Sequence, residues 1–150
     1  MGRVGRRVRA AAALAAGTVP LALGVGTAAA ESYGQTFSRN HTFTAGNGSQ
    51  VTCGFIGESS LRREDEGNDF DGEALTRVSG ENPACGSTLV SVAVTYLDRN
   101  GQRRNTGADS VDGDVRWFGG DVFSEFSVVH RVTFTDCIAG CEASATTSPK

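Results

Sequence analysis

The segment STLVSVAVTYLDRNGQRRN, residues 87–105, gives the strongest indication of the fold. From Ser87 to Leu97 the side chains alternate with a period of two, which predicts a β-strand. One face carries Val90, Val92, Val94 and Tyr96, and the other carries Leu89, Ala93 and Leu97. Because both faces are apolar, we expect a central strand that is covered at least in part on both sides.

A hairpin turn is predicted directly after this strand. In Asp98-Arg99-Asn100-Gly101, the Asn-Gly pair suits the left-handed backbone of a tight turn. The polar segment 102–105 should then pair back onto the strand. Its arginines, Arg103 and Arg104, are typical of an exposed sheet edge, because charged side chains disfavour pairing with another chain.

The chain after residue 30 continues this alternation between Gly, Asn and Pro turns and shows no helix of useful length. Further strands are predicted at 36–44, 50–56, 73–79, 115–118 and 122–138. The last should point these side chains inward: Phe126, Val128, Val132 and Phe134. About seven short antiparallel strands favour an all-β fold, a small antiparallel β-sandwich, with a small barrel as second choice.

Residues 1–30 match the pattern of a secretory signal peptide. Four arginines precede an uncharged stretch that runs from Ala10 to Ala30, and Ala28-Ala29-Ala30 offers small residues for cleavage before Glu31. We therefore expect a secreted, extracellular protein. An uncleaved membrane anchor is the alternative, but the stretch is mostly Ala and Gly and makes a weak membrane helix.

Cleavage would leave a single domain at 31–141 and a small polar segment, 142–150, that is predicted to be a flexible C-terminal tail. The net charge of the whole chain is −3, and without four arginines of the leader 10 basic and 17 acidic residues remain, a net charge of −7. So acidic a chain does not attract nucleic acid or an anionic membrane surface. Lys150 is the only lysine, and such arginine usage is typical of GC-rich bacterial genomes.

The four cysteines all follow the leader, and an even count in an exported chain predicts two disulfides. We favour the pairs Cys53–Cys85 and Cys137–Cys141. The crossed pairs, Cys53–Cys137 with Cys85–Cys141, remain the alternative. A zinc site is disfavoured because one C-x3-C pair with two distant cysteines is a poor zinc spacing.

An acidic stretch, LRREDEGNDFDGE at residues 61–73, holds six acidic and two basic side chains. Aligned on the helix-loop-helix calcium motif at Gly72, it places Val78 where the motif needs Glu. That motif is therefore rejected. A looser calcium site built from Asp65, Asp69, Asp71 and backbone carbonyls stays open. We interpret the stretch as a long, mobile, solvated connection between the first hairpin and the next strand.

A second candidate surface is the run Arg116-Trp117-Phe118, which precedes Gly119-Gly120. Adjacent residues of a strand point to opposite faces, so one of the two aromatic side chains must face outward. Trp117 could be an exposed platform for a sugar ring or an anchor for a partner protein, or it could be the core aromatic between the sheets. The two glycines are interpreted as a break in the chain.

A coherent catalytic set is absent from the sequence. His130 falls on the inward phase of the last strand, where it is either a general base in a pocket or a core histidine with a backbone hydrogen bond. Seventeen acidic residues allow a carboxylate pair almost anywhere, so such a pair carries little information. Bridged cysteines leave no thiol nucleophile.

These features favour a non-catalytic extracellular binding module with a protein or cell-envelope glycan as its partner. The first alternative is a small secreted hydrolase that uses His130 or a carboxylate pair. The second is a structural extracellular protein whose acidic loop binds calcium. Apart from that calcium, no cofactor is expected. The architecture resembles that of several small secreted bacterial proteins, including inhibitors and carriers of small ligands, but a fold does not specify a function.

Overall fold

A computed structural model describes residues 32–63 and 69–150 as two β-sheets packed face to face. This confirms the predicted all-β sandwich. The described residues form nine strands and one short helix. The strands are β1 (Ser32–Ala45), β2 (Gln50–Arg63), β3 (Phe70–Ser79), β4 (Thr88–Leu97), β5 (Arg103–Ser110), β6 (Asp114–Val122), β7 (Ser124–Phe134), β8 (Cys137–Ala139) and β9 (Glu142–Thr147), and the helix α1 (Pro83–Gly86) lies between β3 and β4.

Both sheets are antiparallel. The five-stranded sheet has the order β6-β3-β2-β1-β8, and the four-stranded sheet has the order β5-β4-β7-β9. The predicted hairpin joins β4 to β5, where Gly101 has a φ of +70°. The Asp98 carboxylate accepts hydrogen bonds at 2.9 Å from the backbone N–H groups of Asn100 and Gln102, which fixes the turn. As predicted, β5 lies at a sheet edge.

The core lies between the sheets, and the inward residues predicted for the last strand are all buried: Phe126, Val128, Val132 and Phe134. They pack against inner side chains of β1 and β2, including Phe43 and Phe55. Each large apolar side chain buried in this way stabilises the fold by roughly 1.5–3 kcal/mol relative to its exposed form.

The expectation that β4 is covered on both faces is wrong. Val90, Val92 and Val94 are buried on the inner face, whereas Leu89 on the outer face is 39% exposed. The strand is central within its sheet, but among the described residues no layer packs on that sheet's outer side. Its outer apolar residues therefore reflect the β-propensity of a pleated strand and do not indicate burial.

The interpretation of Gly119-Gly120 as a chain break is also wrong, because both residues lie within β6. A Cβ atom on Gly119 would lie 2.3 Å from the Trp117 ring, and one on Gly72, its cross-strand partner, would lie 2.9 Å from the Phe126 ring. This pair of glycines therefore makes room for the indole. The backbone irregularity occurs further on, at Asp121, which has a φ of +59°.

The predicted flexible tail at 142–150 is wrong for Glu142–Thr147, which form the edge strand β9 paired to β7. Inner side chains of β1 hold this strand from the opposite sheet. Arg39 donates to the Ser144 carbonyl at 2.6 Å, and the Gln35 amide oxygen accepts from the Ser148 N–H at 2.5 Å. These long-range bonds explain why a small, polar segment is ordered.

The acidic stretch is not a long connection. The strand β2 continues to Arg63, and β3 begins at Phe70, its register partner. Most of residues 61–73 therefore belong to a hairpin. Residues 64–68, which include Asp65, lie outside the described part of the chain.

Two disulfides join the pairs Cys53–Cys85 and Cys137–Cys141, as favoured from the sequence, with Cα–Cα distances of 5.7 and 5.5 Å. The crossed pairing is excluded. The predicted signal peptide at 1–30 lies outside the described residues. Within 32–63 and 69–150, no helix has the length and apolar character needed to span a membrane.

Candidate functional site

The outer face of the five-stranded sheet brings several of the predicted site residues together. We use "outer face" for the side of β1, β2, β3 and β6 that points away from the second sheet. Phe118 lies there with its ring 67% exposed, and its cross-strand partner is Glu73. Arg116 lies one pleat further along β6, opposite Leu75. Asp71 lies on the same face of β3, one pleat before Glu73.

The charged groups of this face are partly paired. The Arg116 guanidinium lies 3.7 Å from the Glu73 carboxylate, and both side chains are about half exposed, at 51% and 42%. Further along the same face, Arg77 donates to Asp114 at 2.9 Å. Exposed ion pairs of this kind contribute little to stability. A ligand can therefore replace these contacts at a small cost in free energy.

A shallow depression of about 150 Å³ lies on the outer face, and Glu73, the cross-strand partner of Phe118, is part of its lining. Leu75 is almost completely buried and forms its floor. The rest of its lining is small or acidic: Gly34, Thr36, Glu58, Ser59, Ser60 and Glu73. Glu58 is the cross-strand partner of both Thr36 and Leu75, so one register row crosses the depression. The face thus combines an exposed ring, two carboxylates and hydroxyl groups within a few residues.

Trp117 is not an exposed platform. It is buried between the sheets, with its ring centroid 6.1 Å from that of Phe126 and 6.2 Å from that of Tyr96. Its indole N–H donates to the Thr106 hydroxyl at 3.3 Å, which satisfies the one polar group of the ring. Trp117 is therefore the core aromatic, and Phe118 is the outward member of the pair.

Asp69 does not join the outer face. Its carboxylate lies 2.5 Å from the Arg99 guanidinium, which also contacts Asp121 at 3.0 Å. The hydrogen bond from Arg99 holds the pKa of Asp69 below its usual value. Asp71 points to the outer face instead, so Asp69 and Asp71 do not share a face, and Asp65 lies outside the described residues. Within 32–63 and 69–150, no group of three or more His, Cys, Asp or Glu side chains is arranged to hold a metal ion.

His130 lies in the core and is fully buried. Its Nδ1 is 2.9 Å from the Thr76 hydroxyl, and its Nε2 is 2.8 Å from the Thr147 hydroxyl. Thr76 donates to the Ser91 carbonyl, and Ser59 donates to Thr147. These directions assign the proton to Nδ1 and leave Nε2 as an acceptor.

Burial lowers the pKa of His130 to about 4, so the ring is neutral at neutral pH. Both ring nitrogens are occupied by core hydroxyl groups. The geometry is that of a structural histidine that links the two sheets, and it offers no path from a substrate to a general base.

A larger cleft lies at one end of the sandwich. This "end cleft" has a volume of about 470 Å³ and is lined by Tyr33, Leu61, Phe70, Ser124, Glu125, Phe126, Ser127, Ser148, Pro149 and Lys150. No local sequence pattern predicts this cleft, because its walls come from β1, β2, β3, β7 and the segment after β9. The outer-face residues Glu58 and Glu73 were missed for a similar reason, since only the strand register places them beside Phe118.

Comparison with known proteins found no match to a protein-family model, a curated protein or a solved structure. The function must therefore be argued from the geometry of these two surfaces.

Proposed function

We propose that the protein is a secreted, non-catalytic binding module that recognises a glycan through the outer face of its five-stranded sheet. The observation that carries this proposal is the exposed Phe118, whose cross-strand partner Glu73 also lines a small depression. Export is supported by the leader pattern of residues 1–30 and by the two disulfides.

Glycan chemistry fits these groups. A sugar ring has an apolar C–H face and a rim of hydroxyl groups. An exposed aromatic ring offers apolar area at a low cost in conformational entropy, because its side chain has only two rotatable bonds. Carboxylates accept strong hydrogen bonds from hydroxyl groups, and Glu58 and Glu73 both line the depression, with Glu73 opposite Phe118.

The charge of the face restricts the class of glycan. After loss of the leader the chain carries a net charge of −7, and two carboxylates line the depression itself. An acidic polysaccharide would be repelled, whereas a neutral or an amino-sugar polymer would not. We therefore expect a neutral or basic cell-envelope glycan as the partner.

A binding role without catalysis is supported by the state of the reactive groups. All four cysteines are in disulfides, and His130 is buried with both nitrogens bonded. Among the described carboxylates that line the depression, Glu73 is paired with Arg116, and the site is a shallow surface and not a deep cleft.

The test is a pull-down of the purified protein with insoluble polysaccharides of three kinds, cellulose, chitosan and polygalacturonate. We expect retention on a neutral or amino-sugar polymer and none on the acidic one. Phe118→Ala should weaken binding about ten-fold, because it removes the aromatic anchor. Phe123→Ala is the matched control, since Phe123 is an exposed phenylalanine away from the outer face.

Equal retention of Phe118→Ala and Phe123→Ala would show that the outer face is not the glycan site. Retention on no polymer would overturn the glycan proposal. Release of reducing sugar ends from a bound polymer would contradict the non-catalytic assignment. It would direct attention to Glu58 and Glu73 as a carboxylate pair.

A further inference from the structure

The end cleft is a second site, independent of the outer face. It opens where β1 and β3 begin and β2 ends, so it lies between the two sheets and reaches the core. Leu61 and Phe126 at its base are core residues. A volume of about 470 Å³ lies in the range of pockets that hold small molecules.

The walls of the end cleft are mainly apolar on the side of the five-stranded sheet. Tyr33 and Phe70 meet edge to face with their ring centroids 6.0 Å apart, and Leu61 lies next to them in the cleft. The other wall includes Ser124, Ser127 and Ser148, and the Ser148 hydroxyl donates to the Ser127 hydroxyl at 3.3 Å. An apolar body with a few polar groups on one side is the usual composition of a small-molecule site.

The charges at this wall favour an anionic ligand group. The Glu125 carboxylate accepts a hydrogen bond at 2.7 Å from Arg103, which balances its charge. Lys150 also lines the cleft and is the one cationic residue among the described residues of its lining. The lining of the cleft therefore carries one lysine and one ion-paired glutamate, in a chain that is otherwise acidic.

A strained backbone conformation occurs in the wall of the end cleft. Glu125 lines the cleft with a φ of +56°, a left-handed conformation that glutamate rarely adopts. This conformation lets the side chain of Glu125 reach Arg103 while the next residue, Phe126, turns into the core. Strained residues concentrate at binding sites, where the surrounding structure holds them in place.

We propose that the end cleft binds a small amphiphile with a carboxylate head, the apolar body lying on Tyr33, Leu61 and Phe70 and the head lying towards Lys150. The ligand is a free small molecule of the fatty-acid or aromatic-acid class. This site does not depend on the glycan proposal, because the two surfaces share no residue.

The probe pair is decanoate and decylammonium, which have the same chain and opposite charges, titrated calorimetrically below their aggregation concentrations. We expect saturable one-to-one binding of decanoate and weaker binding of decylammonium. Ser124→Trp, which places a large side chain in the cleft, should weaken decanoate binding about ten-fold or more. Ser144→Trp is the matched control, because Ser144 is exposed on β9 outside the cleft.

Lys150→Gln tests the head-group assignment. It should weaken decanoate binding about three-fold and leave decylammonium binding no weaker, as expected for a partly exposed charge. Phe118→Ala should leave decanoate binding unchanged, which separates this site from the glycan face. Sedimentation of the free protein should show a monomer; a dimer dissociated by Ser124→Trp would show that a second copy fills the cleft.

Absence of saturable decanoate binding, or equal binding by Ser124→Trp and the wild type, would overturn the proposal. Decylammonium binding as tight as decanoate would overturn the assignment of an anionic head.

Discussion

The two ends of the sandwich are built differently, although the same strands run through both. At the end that contains Cys53, Cys85 and Phe134, a disulfide joins β2 to α1, and the rings of Phe43 and Phe134 stack 4.1 Å apart. At the other end, around Leu61 and Phe70, the sheets leave the end cleft between them. We call these the closed end and the open end. We expect the closed end to contribute more to stability than the open end.

The largest difference is expected from truncating one phenylalanine at each end. Phe134→Ala removes a buried ring that packs on Phe43, and should lower the free energy of unfolding by about 3–5 kcal/mol. Phe70→Ala removes a partly exposed ring at the open end, and should cost about 1–2 kcal/mol. Urea unfolding of both variants gives the comparison. Equal losses would show that the open end is packed as tightly as the closed end.

Removal of a disulfide is expected to cause the next largest loss in the free energy of unfolding. Removing Cys53–Cys85 as a double alanine variant releases a loop with a sequence separation of 32, and chain entropy predicts a loss of about 3.7 kcal/mol. Removing Cys137–Cys141, with a separation of 4, should cost about 2 kcal/mol. Denaturant midpoints of the two double variants test this order. A reversed order would mean that native contacts of the short bridge outweigh loop entropy.

Between the two ends lies His130, and its effect depends on pH. Because burial lowers the pKa from 6.5 to about 4, the unfolded chain binds a proton that the folded chain does not bind. Its contribution to stability is therefore complete above pH 6.5 and is lost as the pH falls towards about 4. The melting temperature should fall across this window.

A variant of His130 tests this assignment. His130→Gln should flatten the dependence of the melting temperature on pH between 6.5 and about 4. The carboxylates of Asp69 and Asp98 have a lowered pKa, so their contributions persist above pH 3.8 and are lost only at more acid pH. An unchanged slope in His130→Gln would contradict the neutral, buried state assigned to the ring.

The smallest effect is expected at the rim of the open end. Arg99→Ala removes contacts to Asp69 and Asp121, but the Arg99 side chain is 61% exposed. Solvent and salt screen such a charge, so the loss of stability should be smaller than that of Phe70→Ala and should shrink further in high salt. Thermal melts at low and high ionic strength measure it. A large, salt-independent loss would show that this ion pair closes the open end.

Much of the fold could be predicted because period-two alternation reports directly on strands. The pattern of residues 87–105 predicted the central strand, the hairpin turn and the charged edge strand. The errors occurred where contacts distant in sequence decide local structure. Residues 142–147 are small and polar, and become a strand because β7 and the inner side chains of β1 hold them. The glycines at 119 and 120 lie within a strand, and at Gly119 the Trp117 ring fills the space that a side chain would take.

For the candidate sites, too, the sequence predicted local features, and contacts between distant segments decided the rest. Alternation alone required that either Trp117 or Phe118 face outward, but the choice between them depends on which side of β6 meets the second sheet. The grouping of Phe118 with Glu73 and Glu58 depends on the register of three strands, and the end cleft depends on five segments that are far apart in sequence. A local sequence pattern encodes neither the register of these strands nor the packing of these distant segments.

By itself, the sequence determined the all-β class, the leader pattern, the acidic charge and the favoured disulfide pairing, because composition, periodicity and spacing act locally. Only the tertiary structure decided which aromatic ring is exposed, where His130 finds its partners and which end of the sandwich stays open. The physical reason is that burial is a property of packed layers. A side chain becomes core, surface or cleft wall only when strands distant in sequence come to lie against it.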